Sequence, residues 1–256
     1  MSSLVSSSPE LLLAHDGDVM RLTLHRPDKG NALSRGLVAA LMQALQAASE
    51  AGIRLLVLSG SGKHFCTGFD LSGLDQEDDD SLLSRFTRVE LLLQALHAAP
   101  FTTLALAHGR TMGAGADLFC ACDNRYMVGE TSFAFPGAAF GLVLGTTRLA
   151  RTVGSTQAHE WIEAGARIDS ASALNTGLAT RQIEASSLDA EVAALVQRTA
   201  RLDAVTQRAI RQAIRAAQHS DSEAAQAQDL LRLVQSAARP GIKNRIAAYR
   251  AAQTRQ

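Results

Sequence analysis

Hydrophobic positions recur along this chain with two different periods. In Asp18–His25 (DVMRLTLH) apolar and polar side chains alternate, the period-two pattern of a half-buried strand. After Ser34, a good helix N-cap, Leu37, Val38, Leu41 and Leu45 return at three- and four-residue intervals and predict a helix to about Ala51. Ile53–Ser59 (IRLLVLS) is a continuous apolar strand, closed by the turn residues Gly60-Ser61-Gly62. The acidic run Gln76–Asp80 leads into a second apolar helix, from Ser81 to about Ala99, which Pro100 ends. Thr102–His108 predicts a further strand, Ala116–Cys122 a helix, and Arg125–Val128 and Ser132–Phe135 two short strands. From Thr146 onward strand patterns vanish, and Ala- and Arg-rich helical patterns run to the end. No repeat and no linker divides the chain. The pattern predicts one α/β core with a helical C-terminal extension. The small Ala-rich faces from Leu188 onward suit subunit contacts or cover for the chain's own core.

Composition narrows the function classes. At 256 residues and 46% hydrophobic, the chain can bury a large core. Its 25 basic and 25 acidic residues balance, and only 4% are aromatic. Neither a polyanion-binding surface nor a base-stacking platform is expected, so nucleic acid is excluded as a partner. Cys66, Cys120 and Cys122 lack metal-type spacing and predict free thiols in a reducing compartment, hence a cytoplasmic protein. The first eighteen residues (MSSLVSSSPELLLAHDGD) have no basic start and read as a frayed tail rather than a signal peptide. No apolar run is long enough to span a bilayer, and no membrane association is expected.

Chemistry is suggested where glycines stand between strand and helix. In TMGAGADLFCACD (Thr111–Asp123) the run Gly113-Ala-Gly115-Ala-Asp117-Leu118 lacks the third glycine of a dinucleotide loop. Gly60-Ser-Gly62-Lys63 fails equally as a phosphate loop, because His64 follows the lysine. Two readings stay open. In one, the glycines serve close helix–strand packing. Alternatively, a helix beginning at Ala114–Ala116 presents free N–H groups to a developing oxyanion, where losing one donor costs roughly 3–4 kcal/mol. A second donor is on hand in HFCTGFDLSGL (His64–Leu74), where Gly68 makes a tight turn and leaves the Phe69 N–H exposed.

Five segments in order resemble the crotonase, or enoyl-CoA hydratase/isomerase, superfamily: HRPDKGNALS (His25–Ser34), HFCTGFDLSGL, AHGRTMGAGADLFCACDNRY, FPGAAFGLVLGTTRLARTVG and EAGARIDSASALNTGLATR (Glu163–Arg181). The resemblance implies a ββα spiral core, over residues 1–190, and a helical C-terminal trimerisation region, over 191–256. It implies a homotrimer or hexamer and an acyl-CoA thioester as ligand, with coenzyme A as part of the substrate and no other cofactor or metal. On this match the N–H groups of Phe69 and Ala114 hold the thioester oxygen. Cys66, Gly68, Asp70, Leu71, Gly113 and Gly115 shape the hole, and Arg26 and Lys29 meet the nucleotide end of CoA.

The chain also departs from the family pattern. Hydratases place a Glu three residues past the second donor and another after the following Pro. Here these positions are Asp117 and Gly137. Water addition is easiest with two positioned carboxylates. With one, a proton shuttle is simpler: a γ-proton is removed, the dienolate held and the proton returned at the α-carbon. Asp117 is the candidate base, or else an acid that merely suits a helix N-terminus. Gly137 leaves space for a larger acyl group or a water. The expected function is therefore an enoyl-CoA isomerase or weak hydratase. Alternatives are an acyl-CoA hydrolase or decarboxylase on the same fold, or a non-catalytic acyl-CoA-binding homologue. His64, His108 and Glu130 read as turn or surface groups. Ser72 stands where the family often has Lys, and RPGIKNRIAAYR (Arg239–Arg250) resembles a helix closing over CoA, to which Lys243 or Arg245 contributes.

Overall fold

The computed structural model describes residues 3–4, 8–217 and 223–254. Seven strands form one sheet in sequence order: β1 (Ser3–Leu4), β2 (Leu11–Asp16), β3 (Val19–Leu24), β4 (Leu55–Gly60), β5 (Thr102–Met112), β6 (Asn124–Ala134) and β7 (Arg181–Ile183). β1, β2 and β3 are antiparallel, whereas β3 to β7 are parallel neighbours. Parallel pairing requires crossovers. They are α1 (Arg35–Glu50), α2 (Asp79–His97), α3 (Ala114–Cys120) and the group α4 (Thr146–Val153), α5 (Ser155–Ala164) and α6 (Ser170–Asn175). Ser34 caps α1 by accepting from Leu37 N, and Asp78 with Ser81 forms a capping box on α2.

The sheet is buried on both faces, which explains the unbroken apolar run of β4. Leu56 and Leu58 enter the main core with α1, α2 and α3. Leu55 and Val57 pack on the other face with Tyr126 and with Val192 and Leu195 of α7 (Leu188–Ala200). Near the middle of β5 and β6 the register shifts between Ala107 and Gly109. Gly109 at φ +58° lets the chain bend there against Lys63 O, which an added Cβ would meet at 2.1 Å. Beyond the bend, Arg110–Met112 and Ser132–Ala134 form a second small layer, joined by bridges Cys66↔Thr111 and Phe133↔Ile168. This doubling of strand against strand before each helix is the spiral of the fold.

Three expectations are corrected. Leu11–Asp16, read as part of a frayed tail, is strand β2, fully paired with β3; residues 1, 2 and 5–7 of that tail lie outside the described residues. The two short strands at 125–128 and 132–135 are one strand, β6, continuous through Gly129. The C-terminal half is not free of strand, since β7 extends the sheet beside β6. Helices α8 (Ala204–Ala217), α9 (Glu223–Ala237) and α10 (Ile242–Thr254) complete the described chain. Leu233 and Ala237 of α9 and Ile242 and Ile246 of α10 share a core with Leu82 and Phe86 of α2. Asp79 joins the same elements by accepting from Gly241 N (2.6 Å) and Lys243 N (3.0 Å). No helix among the described residues is long and apolar enough to cross a membrane.

Candidate active site

Two strand-to-turn connections meet at the carboxyl ends of β4 and β5, the edge where open parallel sheets bind ligands. In the first, Gly68 adopts φ +100°, and a Cβ there would lie 2.7 Å from Met112 O and 3.5 Å from Ala114 N. The turns therefore touch through a glycine hydrogen. Leu33 N donates to Gly68 O (2.8 Å) and Asp70 N donates to Leu33 O (3.2 Å), which leaves the intervening Phe69 N–H outside the ladder. In the second, Gly113 takes φ 52°, ψ −126°, a backbone state available to glycine, and starts α3. Its N–H donates to Ala134 O (2.8 Å), and the first helical bond runs from Asp117 N to Gly113 O (2.9 Å). Neither Phe69 N–H nor Ala114 N–H has a hydrogen-bond acceptor among the described residues. Two free donors stand side by side.

They open into a cavity of about 510 Å³. Phe69, Met112 and Ala114 line the near side, Leu144, Leu149 and Ile162 the far wall, and Phe140 and Tyr249 the α10 side. Asp117, one helical turn after Ala114, also lines it and is 3% exposed. Burial pushes the Asp117 carboxyl up to about 8; nearby Arg148 pulls the other way and Glu90 adds to the rise. Its Oδ1 is buried with no hydrogen-bond partner. Beneath it, Arg148 and Glu90 form a buried two-pronged pair (2.9 and 2.6 Å). Gly145, at φ +67°, permits this approach, because a Cβ there would fall 1.8 Å from Asp117 Oδ1. A second cavity, about 560 Å³ and rich in arginine, lies behind α3 and contains neither donor turn.

The remaining expected site residues separate into two groups. Gly68, Leu71, Gly113 and Gly137 line the cavity with Phe69, Ala114 and Asp117. Gly137 belongs to a 3-10 turn, Pro136–Phe140, and an added Cβ would meet only Leu142 at ordinary contact distances of 3.5 and 3.8 Å. The rest stand behind the turns. Arg26 pairs with Glu10 (2.8 Å) and Asp70 (2.8 Å). Burial opposes the Asp70 charge, but hydrogen bonds from Ser72 and the Arg26 guanidinium outweigh it and hold its pKa below the usual range. These two residues brace the first turn rather than face the cavity. Gly115 faces Cys66, whose carbonyl oxygen and carbonyl carbon an added Cβ would meet at 2.2 and 2.8 Å, so this glycine serves packing. Cys66 is itself fully buried, its thiol pushed up to about 12 by burial. Lys29 is exposed on the turn Pro27–Lys29, outside the cavity lining.

Charged groups at the rim were less visible in sequence. Arg110 and Arg167 line the cavity; both lie inside segments that resemble the family, yet nothing in those segments singles them out. His64 Nδ1 accepts from Arg110 N (3.1 Å), and its pKa is lowered by burial and by the nearby Arg110, His108 and Lys63 charges. Cations therefore cluster at this edge. Lys243 Nζ donates to Asp75 O (2.9 Å) and Arg245 donates to the carbonyls of Phe140, Arg239 and Pro240, so both hold α10 in place. From the same helix, Tyr249 and Gln253 reach the cavity instead.

Comparison with known proteins places the chain in a family. The sequence profile described as enoyl-CoA hydratase/isomerase matches residues 15–251. The chain is 34% identical over 167 residues to the probable enoyl-CoA hydratase echA6 of Mycobacterium tuberculosis, a match covering 64% of this chain and 66% of that protein. Among solved structures, one from Bordetella parapertussis, provisionally named an enoyl-CoA hydratase/isomerase, superposes with a TM-score of 0.90. It is 38% identical and covers 95% of this chain and 99% of its own. A provisionally named enoyl-CoA hydratase from Thermobifida fusca, solved in complex with acetoacetyl-CoA, superposes at 0.75 with 28% identity, covering 89% of this chain and 93% of its own.

Proposed function

This chain belongs to the enoyl-CoA hydratase/isomerase family of enzymes, and from that premise we propose that it moves a proton within an enoyl-CoA thioester, with weak hydration as a side activity. The observation that carries the reading is the pair of free N–H groups, Phe69 and Ala114, one helical turn from a single carboxylate, Asp117. In a 3-enoyl-CoA the α-proton passes to Asp117, and the electron pair spreads through the dienolate onto the thioester oxygen. Two preorganised donors stabilise that charge in a water-poor site, where each is worth roughly 3–4 kcal/mol. Asp117 then returns the proton at the γ-carbon, and the double bond rests between α and β.

A single carboxylate supports isomerisation over hydration, since among the described lining residues Asp117 has no acidic companion. A base with pKa near the working pH transfers protons both ways with little penalty. The edge carrying Lys63, His108 and Arg110 suits the CoA phosphates better than Lys29 does. Coenzyme A enters as part of the substrate, and the exposed apolar residues of α8, Val205, Ile210 and Ile214, suit burial in a homotrimer or hexamer. The test is incubation with a 3-enoyl-CoA in D2O, followed by mass spectrometry and NMR. Conversion to the 2-enoyl isomer with deuterium at the γ-carbon, lost in Asp117→Asn, supports the proposal. Binding without migration or exchange sinks it.

A further inference from the structure

We infer that the cavity receives acyl-CoA thioesters whose acyl chain ends in a second carboxylate, and that Arg167 is the residue that pairs with it. The inference rests on the acyl-CoA reading above and narrows it to a substrate class.

Arg167 is placed by the small layer beyond the strand bend. Phe133 pairs with Ile168, and both side chains are buried in the main core. Successive strand residues point to opposite faces. Ala134 therefore shares the other face with Met112 and Arg110, which pair in register with Ala134 and Ser132, and Arg167 adjoins the bridge residue Ile168. All four of Arg110, Met112, Ala134 and Arg167 line the cavity. Counted from β5 across β6 to the bridge residue Ile168, Arg167 stands about two strand spacings, roughly 10 Å, from Met112. Met112 adjoins the oxyanion turn. With carbon–carbon bonds of about 1.5 Å, that span matches a chain of roughly six to eight carbons measured from the thioester.

Charge points the same way. Arg26, Arg85, Arg148 and Arg211 each sit within 4 Å of a carboxylate. Those four are largely buried, whereas Arg167 is exposed and makes no hydrogen bond or ion pair among the described residues; Ala134, Leu149 and Ile162 of the same lining are apolar. Arg110 lies with Lys63, His64 and His108, the cluster that the proposed function assigns to the CoA phosphates. A guanidinium beside an apolar wall pairs well with a planar carboxylate through two charge-assisted hydrogen bonds.

The experiment compares saturated thioesters of equal length, which form no product, by calorimetry: adipyl- with hexanoyl-CoA and suberyl- with octanoyl-CoA. For at least the six- or eight-carbon pair, the wild-type protein should bind the dicarboxylic member about tenfold more tightly. Arg167→Gln should abolish that preference while leaving hexanoyl-CoA affinity unchanged. Arg110→Gln should weaken both members and keep the preference. Equal or tighter binding of the monocarboxylic member at every length overturns the inference, as does a preference that survives in Arg167→Gln. Binding of no thioester at all overturns the acyl-CoA reading itself.

Discussion

Replacing Asp117 by Asn should make stability less dependent on pH, in a direction set by burial. The native carboxyl titrates at about 8, because burial penalises its charge, whereas an unfolded Asp titrates near 3.9. Below pH 4 both states hold the proton and no penalty arises. As pH rises, the unfolded chain releases its proton while the native protein keeps it. Stability is therefore lost across the window from about 4 to 8, with a slope approaching 1.36 kcal/mol per pH unit. Between pH 5 and 7 the loss amounts to about 2.7 kcal/mol. The Asn variant cannot titrate there, and the other ionisable groups cancel in the difference. Urea denaturation of both proteins at pH 5, 6 and 7, at one protein concentration, measures it. The stability of wild type relative to variant should fall steadily with pH. A flat difference would mean that Asp117 is ionised in the native state, and the reasoning from its burial would be wrong.

Two further substitutions probe the geometry of the turns. Gly137→Glu should fold with stability within about 1 kcal/mol of wild type, because its Cβ meets nothing closer than 3.5 Å. It should raise crotonyl-CoA hydration by about tenfold or more, as a positioned second acid contributes at least that much; unchanged hydration by a folded variant would count against the single-carboxylate explanation. Gly115→Ala must force Cys66 O from a 2.2 Å overlap. It should cost roughly 1–3 kcal/mol and spread the two donors, lowering kcat/KM; a variant with unaltered Tm and full activity would show that the turns do not depend on this contact.

Local patterns carried much of the fold. The caps at Ser34 and Asp78, the two-faced run of β4 and the helical spacing of α1 are each set by residues close in sequence. What remained hidden depended on distant partners. Leu11–Asp16 becomes a strand because β3 pairs with it, and nothing in LLLAHD alone distinguishes it from a tail. Gly129 looked like a turn between two strands, yet it is a left-handed bulge within β6, which carries Val128–Glu130 opposite the single residue His108 and continues beyond it. At the site, Asp117 was marked by the family resemblance rather than by any local pattern, and the fold places it in the cavity lining. Arg26 and Asp70 were in the right motifs but pair with each other and with Glu10, a contact across sixteen and more residues that sequence spacing does not reveal. Arg110 and Arg167 were overlooked because single arginines carry no pattern; the pairing of β5 with β6 and the bridge from β6 to Ile168 bring them into one cavity lining.

The central claim is that this cavity stabilises a thioester enolate with Asp117 as its acid–base group. Solvent exchange at the α-carbon of a saturated acyl-CoA tests it with no product to form and no second acid required. Hexanoyl-CoA incubated with the protein in D2O should gain deuterium at the α-carbon, faster as pH rises toward 8, and Asp117→Asn should abolish the exchange while still binding the thioester. Absence of exchange in the wild-type protein with bound hexanoyl-CoA, or undiminished exchange in the variant, would contradict the account.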